Sequence, residues 1–253
     1  MRFDLQKASM SKRISAFLFD FIMLGSLIVG VGYLLSSVLH YDGYVQALTD
    51  AYDKYETTYS VDFETSRDAY LAMTPEEQAN FDAAYEALIG DKEAMANYNM
   101  VINLSMIIIS ISVLAGYLIL EFAVPLWLKN GQTFGKKIFG IGVMHTSGIQ
   151  ITPMLLFFRT ILGKYTLETM VPLLLLMMIF FNTIGLLGTI ILGLLLLLQI
   201  ILVIATNTNS FLHDILAKTV VVDLSSQLIF KDGAALLAYK KEMHAEEVAR
   251  QSY

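Results

Sequence analysis

Three long apolar runs restrict this chain to folds that cross a membrane. They cover residues 14–39, 101–128 and 170–206, and most polar residues are gathered into separate blocks between them. A helix needs about 20 apolar residues to cross a hydrocarbon core of about 30 Å, so each of the first two runs suffices for one span. With 56% of its residues hydrophobic, the chain has the composition of a polytopic membrane protein.

The third run is too long for one span. As a single helix its 37 residues would extend about 55 Å, which is more than helix tilting normally absorbs. A polar break at Asn182 and Thr183 predicts a hairpin of two helices, near residues 167–181 and 184–205. The sequence therefore predicts an all-α integral membrane protein with four transmembrane helices, and three is the alternative if the run forms one helix.

Acidic and basic residues are distributed unevenly between the runs. Residues 41–99 contain 13 acidic and only three basic residues, whereas basic residues precede the first run and follow the second. By the positive-inside tendency the basic flanks are cytoplasmic. We therefore expect a multi-pass protein of the cell membrane with cytoplasmic N- and C-termini and an acidic extracytoplasmic insertion. No basic face large enough to follow a phosphate backbone is evident, which argues against nucleic acid as a partner.

The acidic insertion carries the signals of folded helices. In "MTPEEQANFDAAYEALIG", Thr74 is suited to the N-cap, Pro75 to the first helical position and Glu77 to a capping box. Two apolar stripes follow helical spacing: Phe81, Tyr85, Leu88 and Ile89 in this helix, and Tyr44, Leu48, Tyr52, Tyr55 and Tyr59 before it. We predict two helices that face each other as a solvated cap, or as a surface that gathers cations or contacts a partner.

The segment between the second and third spans begins with a glycine-rich stretch, "KNGQTFGKKIFGIGV". It does not match a phosphate-binding loop, because Gly131 and Gly135 are separated by three residues instead of four and Lys137 stands where Ser or Thr is required. The glycines instead predict a tight turn and close helix approach. Lys136 and Lys137 are expected among lipid head groups.

Two further elements are predicted in this segment. "IGVMHTSGIQIT" alternates like a short cytoplasmic β-hairpin that turns at Ser147 and Gly148. Residues 154–164, which include Arg159, are expected to form an interfacial helix.

Three motifs resemble the RDD family of membrane proteins. They are the Arg-x-x-Ala-x-x-x-Asp entry into the first span, "GQTFGKKIFGIGV" at residues 131–143 and "FLHDILAKTVVV" at residues 211–222. The family is named for one arginine and two aspartates, which correspond here to Arg13, Asp20 and Asp214. The resemblance implies a membrane protein for which transport has been proposed mainly from architecture. The long insertion departs from the family's usual short form.

The spacing of these three residues predicts a network that connects the first helix to the last. Arg13 and Asp20 are seven positions apart, about two helical turns, and therefore share a face. Asp214 follows the last span on the side of Arg13, so that the arginine can lie between two carboxylates. The network is interpreted either as a structural ion network or as a site at which a proton, an arginine and a cation compete for a carboxylate.

Glu121 and His213 are secondary candidates. Glu121 lies near the end of the second span, where it lines a cavity or reaches the head groups. His213 adjoins Asp214 and is interpreted as a proton relay or as a local hydrogen-bonding residue. We find no catalytic motif, no cofactor fingerprint and no metal-ligand spacing among the four histidines, and we expect neither an enzyme nor a cofactor.

These observations predict four segments and two alternative functions. The segments are the N-terminus with the first span (1–40), the acidic insertion (41–99), the rest of the membrane domain (100–223) and a charged cytoplasmic tail (224–253). The first function is a small transporter that uses intramembrane carboxylates to exchange a cation and a proton across the lipid bilayer. The alternative is a non-transporting scaffold or accessory subunit whose cap or tail binds a membrane protein partner. Four spans rarely enclose a whole transport path, so either function favours an oligomer.

Overall fold

A computed structural model describes residues 5–180 and 184–251. In chain order the helices are α1 (Met10–Val38), α2 (Tyr41–Tyr59), α3 (Arg67–Ala72), α4 (Pro75–Gly90), α5 (Lys92–Leu128), α6 (Phe134–Ile138), α7 (Pro153–Phe180), α8 (Gly185–Ala205), α9 (Leu212–Leu216) and α10 (Gly233–Gln251). The strands are β1 (Ile141–His145) and β2 (Thr219–Asp223). Four helices, α1, α5, α7 and α8, are long and apolar enough to cross a membrane, which confirms the predicted number of spans.

The third span begins earlier than the sequence predicts. Helix α7 starts at Pro153 with Thr152 as its N-cap, so the predicted interfacial helix and the third span are one continuous helix. The middle of α7, Phe158–Met170, is π-helical, and so is a shorter stretch of α5, Tyr117–Ala123. The predicted polar break at Asn182 and Thr183 lies outside the described residues.

The chain divides into two compact units. The core unit comprises Met1–Ile28 and Val113–Tyr253, and the insertion unit comprises Val29–Ser112. The division runs through α1 and α5, so the insertion unit contains the ends of two spans together with the acidic segment.

The core unit contains a small sheet that joins distant parts of the sequence. Strand β1 pairs antiparallel with β2, with Val143 opposite Val221. Both strands bury almost all of their residues and form a hydrophobic core with Ala8 and Ala16. Because both strands read as continuous apolar runs, burial on both faces is the arrangement their composition favours.

The predicted β-hairpin pairs β1 with the wrong segment, because the main partner of β1 is β2. The turn forms, because the backbone N–H of His145 donates to the carbonyl of Ile149 at 3.0 Å. However, Gln150 forms only an isolated bridge with Met144, whereas the ladder of β1 is made with β2. The three consecutive valines of β2 are almost fully buried, and β-branched residues suit a strand that is covered on both faces.

The insertion unit confirms the predicted capping box of α4. The Thr74 side chain accepts from the backbone N–H of Glu77, and the Glu77 carboxylate accepts from the backbone N–H of Thr74 at 2.8 Å. The buried face of α4 is Ala84 and Leu88, while Tyr85 is 53% and Ile89 46% exposed. The buried face of α4 is therefore rotated by part of a helical turn from the apolar stripe that the sequence predicts.

The rotation of α4 has a physical cause in the loop before α3. The Phe63 ring packs edge-to-face against Tyr52 of α2 and Phe81 of α4, with centroids 5.7 Å apart in both cases. Helices α2 and α4 thus meet through an intervening ring that sequence periodicity does not place. Helix α2 is also separate from α1, because His40 between them adopts a left-handed conformation with φ 53°.

Candidate functional site: a buried ion network in the core unit

Among the described residues of the core unit, Asp214 is the most buried carboxylate, with 1% of its surface exposed. Its Oδ1 accepts hydrogen bonds from Arg159 Nε at 3.0 Å, Arg159 Nη2 at 2.9 Å and Thr219 Oγ1 at 2.9 Å. Burial alone would raise the pKa of Asp214, but the Arg159 guanidinium and the other nearby positive charges lower it below its usual range. The carboxylate is therefore held ionised away from water.

Arg13 contacts Asp214 from α1. Its Nη2 lies 3.7 Å from the second carboxylate oxygen, Oδ2, and its Nη1 donates to the carbonyl oxygen of Thr208 at 3.1 Å. Helices α1, α7 and α9 are thus joined at one aspartate. The sequence predicts that Arg13 of the first helix contacts Asp214 after the last span, and this contact is present.

Arg159 is the partner of Asp214 that sequence reasoning missed. The sequence predicts an interfacial helix at this point, but Arg159 is buried within the membrane-crossing helix α7. One signal was available: a guanidinium in the apolar run "MLLFFRTIL" requires an acidic partner, because an unpaired charge in such surroundings is costly.

Asp20 does not join Arg13 and Asp214. Its Oδ1 accepts from the backbone N–H of Gly135 at 2.8 Å, and its Oδ2 accepts from the Thr133 hydroxyl. The nearest cation is Lys136, with Nζ 4.0 Å from Oδ2. The predicted bridge of one arginine between two carboxylates is therefore wrong for Asp20, which instead fastens the start of α6 to α1.

The glycine-rich stretch explains why Asp20 makes these contacts. A Cβ on Gly135 would collide with the Ala16 carbonyl oxygen and the Asp20 carboxylate, so only glycine permits this close approach. Gly131 has a φ of +60°, and a Cβ there would lie 2.8 Å from the Cβ of Val143. The predicted tight turn and close helix approach are both present.

His213 lies between two carboxylates. Its Nδ1 is 2.7 Å from Glu168 Oε2 and its Nε2 is 3.5 Å from Asp214 Oδ2, while its backbone N–H donates to Glu168 Oε1 at 3.0 Å. Burial lowers the pKa of His213, although Asp214 and Glu168 oppose that shift and Arg159 adds to it. The imidazole therefore links two acids in a short chain of groups that can hold or pass a proton.

Helix α7 approaches His213 closely enough to require a glycine. A Cβ on Gly163 would lie 2.5 Å from the Cβ of His213. Glu168 follows on the same helix, and the stretch "GKYTLETM" offers no periodic signal that would identify it.

A second ion pair joins the two π-helical stretches. Glu121 Oε2 on α5 lies 2.5 Å from Lys164 Nζ on α7, and the Thr160 hydroxyl donates to the carbonyl oxygen of Glu121 at 3.0 Å. A π-helical turn bonds i to i+5 and often occurs at functional sites. Glu121 thus faces an adjacent helix and is paired with a cation there.

Lys136 is buried beside this pair, with only 8% of its surface exposed. Its Nζ donates to Thr133 Oγ1 at 3.1 Å. Burial lowers the pKa of Lys136 to about 8, although the Glu121 carboxylate opposes that shift. The expected position among lipid head groups is wrong for Lys136, whereas the adjacent Lys137 is exposed.

The network alternates charges that neutralise one another. Its carboxylates are Asp20, Glu121, Glu168 and Asp214, and its cations are Arg13, Lys136, Arg159 and Lys164. In a low dielectric such charges interact strongly, so a proton or a small cation that binds one carboxylate must displace its present partner.

Comparison with known proteins gives a family match for most of the chain. No match was found among the curated proteins or the solved structures. The model of the RDD family matches residues 7–218, which include Arg13, Asp20, the glycine-rich stretch and Asp214. Because this match covers most of the chain, we conclude that the chain belongs to the RDD family.

Proposed function

We propose that the protein is a small transporter of the cell membrane that exchanges a proton for a small cation at the carboxylates of its core unit. The observation that carries this proposal is the Glu121–Lys164 pair, in which the side chains of two membrane-crossing helices meet at 2.5 Å. A charged side chain inside a span costs about 2.5–3.5 kcal/mol on insertion scales, and such residues commonly mark ion pathways.

The proposed exchange is a competition for Glu121. A small cation that reaches the carboxylate replaces the ammonium of Lys164, which is then free to release its proton. When the cation leaves, Lys164 regains a proton and the pair forms again. Charge is conserved at the site in both states, because one positive charge always accompanies the carboxylate.

Two neighbouring groups support the proton half of the exchange. Lys136 is a buried amine with a pKa lowered to about 8 by burial, so it changes protonation near neutral pH. His213 connects Glu168 to Asp214 at 2.7 and 3.5 Å. Lys136 and His213 therefore give the proposed proton path further groups besides Glu121 and Lys164.

The proposal includes an orientation and an assembly. Basic flanks before α1 and after α5 favour cytoplasmic N- and C-termini. A unit of four spans is small for a complete alternating-access path, which favours an oligomer. This is a transport role and not an enzymatic one.

The experiment is a flux assay in proteoliposomes. A pH-sensitive dye in the lumen reports proton movement when sodium, potassium or lithium is added outside. We expect cation-dependent proton flux in the wild type and loss of flux in Glu121→Gln. Glu86→Gln, an exposed change in the insertion unit, is the matched control and should retain the wild-type rate.

Lys164→Arg separates transport from folding. The guanidinium keeps the positive charge that pairs with Glu121, but it does not release a proton near neutral pH. We expect a folded protein without flux. Wild-type flux in Lys164→Arg, or no flux of any cation in the wild type, would contradict the exchange mechanism.

A non-transporting scaffold is the second candidate. Asp214 supports it, because this carboxylate accepts three hydrogen bonds and contacts two arginines, an arrangement that fixes helices α1, α7 and α9. Under this function, Asp214→Asn and Glu121→Gln would lower thermal stability, and the wild type would show no flux. The same vesicles and variants therefore distinguish the two candidates.

A further inference from the structure

An apolar groove lies on the surface of the core unit between α1 and α6. Phe19 and Met23 of α1 line one side, Phe134 and Ile138 of α6 line the other, and Lys137 completes the lining. The groove has a volume of about 330 Å³. Its walls are therefore hydrocarbon and aromatic, with one cationic group.

The groove is held open by contacts already described. Asp20, which lies between Phe19 and Met23 on α1, accepts the Gly135 N–H and the Thr133 hydroxyl at the start of α6. These bonds fix the short helix against the span. Both walls of the groove are therefore positioned by one half-buried carboxylate and do not depend on a ligand.

Lys137 has no neutralising partner among the described residues. In the part of the chain that the structure describes, its ammonium forms no hydrogen bond or ion pair, whereas Lys12, Lys136 and Lys164 all have acidic partners. Ile138 beside it is 61% exposed. An exposed cation next to an exposed apolar groove on a membrane-crossing helix is complementary to a molecule with an anionic head and a hydrocarbon chain.

We propose that this groove is a binding site for an anionic phospholipid of the bilayer. The acyl chain lies along Phe19, Met23, Phe134 and Ile138, and the head-group phosphate pairs with Lys137. The lipid is the source of the phosphate, because α1 is a span and the groove is continuous with the helix surface that lipid covers. The proposal does not depend on whether the protein transports anything.

The test uses the full-length protein in phosphatidylcholine nanodiscs that contain a minor fraction of phosphatidylglycerol with a photoreactive acyl chain. After irradiation, the labelled peptides are identified by mass spectrometry. We expect the label on the segments around Phe19–Met23 and Phe134–Ile138. Lys137→Gln should reduce it about fivefold, the factor that corresponds to about 1 kcal/mol for one basic residue near an anionic surface.

Two further variants control for charge and for folding. Lys241→Gln removes an exposed lysine from α10 and should leave the label unchanged. Ile138→Trp fills the groove without changing the charge and should also remove the label. Thermal unfolding in detergent checks that each variant is folded before its label is compared.

Three outcomes would overturn the proposal. The first is equal labelling of the wild type and Lys137→Gln. The second is equal labelling of the groove by a phosphatidylcholine probe with the same photochemistry, which would indicate ordinary boundary lipid. The third is loss of the label when inorganic phosphate is added at low concentration, which would indicate a site for free phosphate.

Discussion

In the core unit the carboxylates of the ion network are buried or half-buried and paired with basic side chains, whereas in the insertion unit most carboxylates are exposed and aromatic rings pack between the helices. Asp214 and Glu121 contact arginine and lysine away from water, while the Phe63 ring holds α2 and α4 together among acidic surfaces. A buried ion pair is expensive to break and an exposed carboxylate is not. Substitutions should therefore have very different effects in the two units.

The largest effect is expected for Asp214→Asn. The change leaves Arg159 buried without a carboxylate, and loss of one partner of a buried pair costs about 3–5 kcal/mol. The free energy of unfolding, measured by detergent titration with circular dichroism, should fall by that amount. Asp223→Asn is the control, since Asp223 pairs with the partly exposed Lys12 and its loss should cost less than about 1 kcal/mol. Equal losses in both variants would contradict the comparison.

The pH dependence of stability sharpens the same point. The pKa of Asp214 is lowered below its usual range in the folded state, whereas an unfolded aspartate titrates near about 3.9. The unfolded chain thus takes up a proton first as the pH falls. The contribution of Asp214 is complete above about pH 4 and is lost as the pH falls through the folded pKa. The free energy of unfolding of Asp214→Asn should fall less steeply with decreasing pH than that of the wild type. Identical pH dependence in the two proteins would contradict the lowered pKa of Asp214.

A double-mutant cycle on Glu121 and Lys164 should give the next largest effect. Glu121→Gln and Lys164→Met each leave one buried partner without its opposite charge. The double variant removes both, so its loss of unfolding free energy should be smaller than the sum of the two single losses by about 1–3 kcal/mol. Additive losses would show that the two side chains do not depend on each other.

Two glycine substitutions contrast the units directly. Gly135→Ala should destabilise the protein by about 1–3 kcal/mol, because its methyl group would collide with Ala16 and Asp20. Gly43→Ala in α2 meets nothing within 4 Å and should stabilise that helix by up to about 1 kcal/mol. Thermal unfolding in detergent measures both, and a destabilising Gly43→Ala would contradict the open surroundings of that residue.

The smallest effect is expected at the capping box of α4. Thr74→Ala removes an acceptor for the Glu77 N–H and should cost about 1 kcal/mol. Hydrogen exchange of the α4 amides measures the change locally. Glu86→Gln on the same helix alters only an exposed charge and should stay within about 0.5 kcal/mol of the wild type.

Local features of this chain could be predicted from its sequence. Span number follows from the length of the apolar runs, and the capping box follows from Thr74, Pro75 and Glu77, because each of these signals acts within a few residues. The contact between Arg13 and Asp214 also agrees with the expectation, since both flank spans on the same side.

Contacts between distant segments could not be predicted in the same way. Helical spacing pairs Asp20 with Arg13, but the partners of Asp20 lie in a turn more than 100 positions later. The β1–β2 pairing and the Phe63 core likewise depend on which segments meet in three dimensions. Arg159 was visible as a charge in an apolar run, but its partner could not be identified until the position of α9 was known.

The pairing of β1 with β2 also has a consequence for biogenesis. About 70 residues, including two membrane spans, separate His145 from Thr219, so at about 5–20 residues per second the ribosome needs several seconds to supply the second strand. Asp214 and Thr219, the partners of Arg159, are made in that same late interval. Until the last span has entered the membrane, Arg13 and Arg159 have no Asp214 to pair with. The pairing of β1 with β2 therefore forms at the same stage of synthesis as the ion pairs of Asp214.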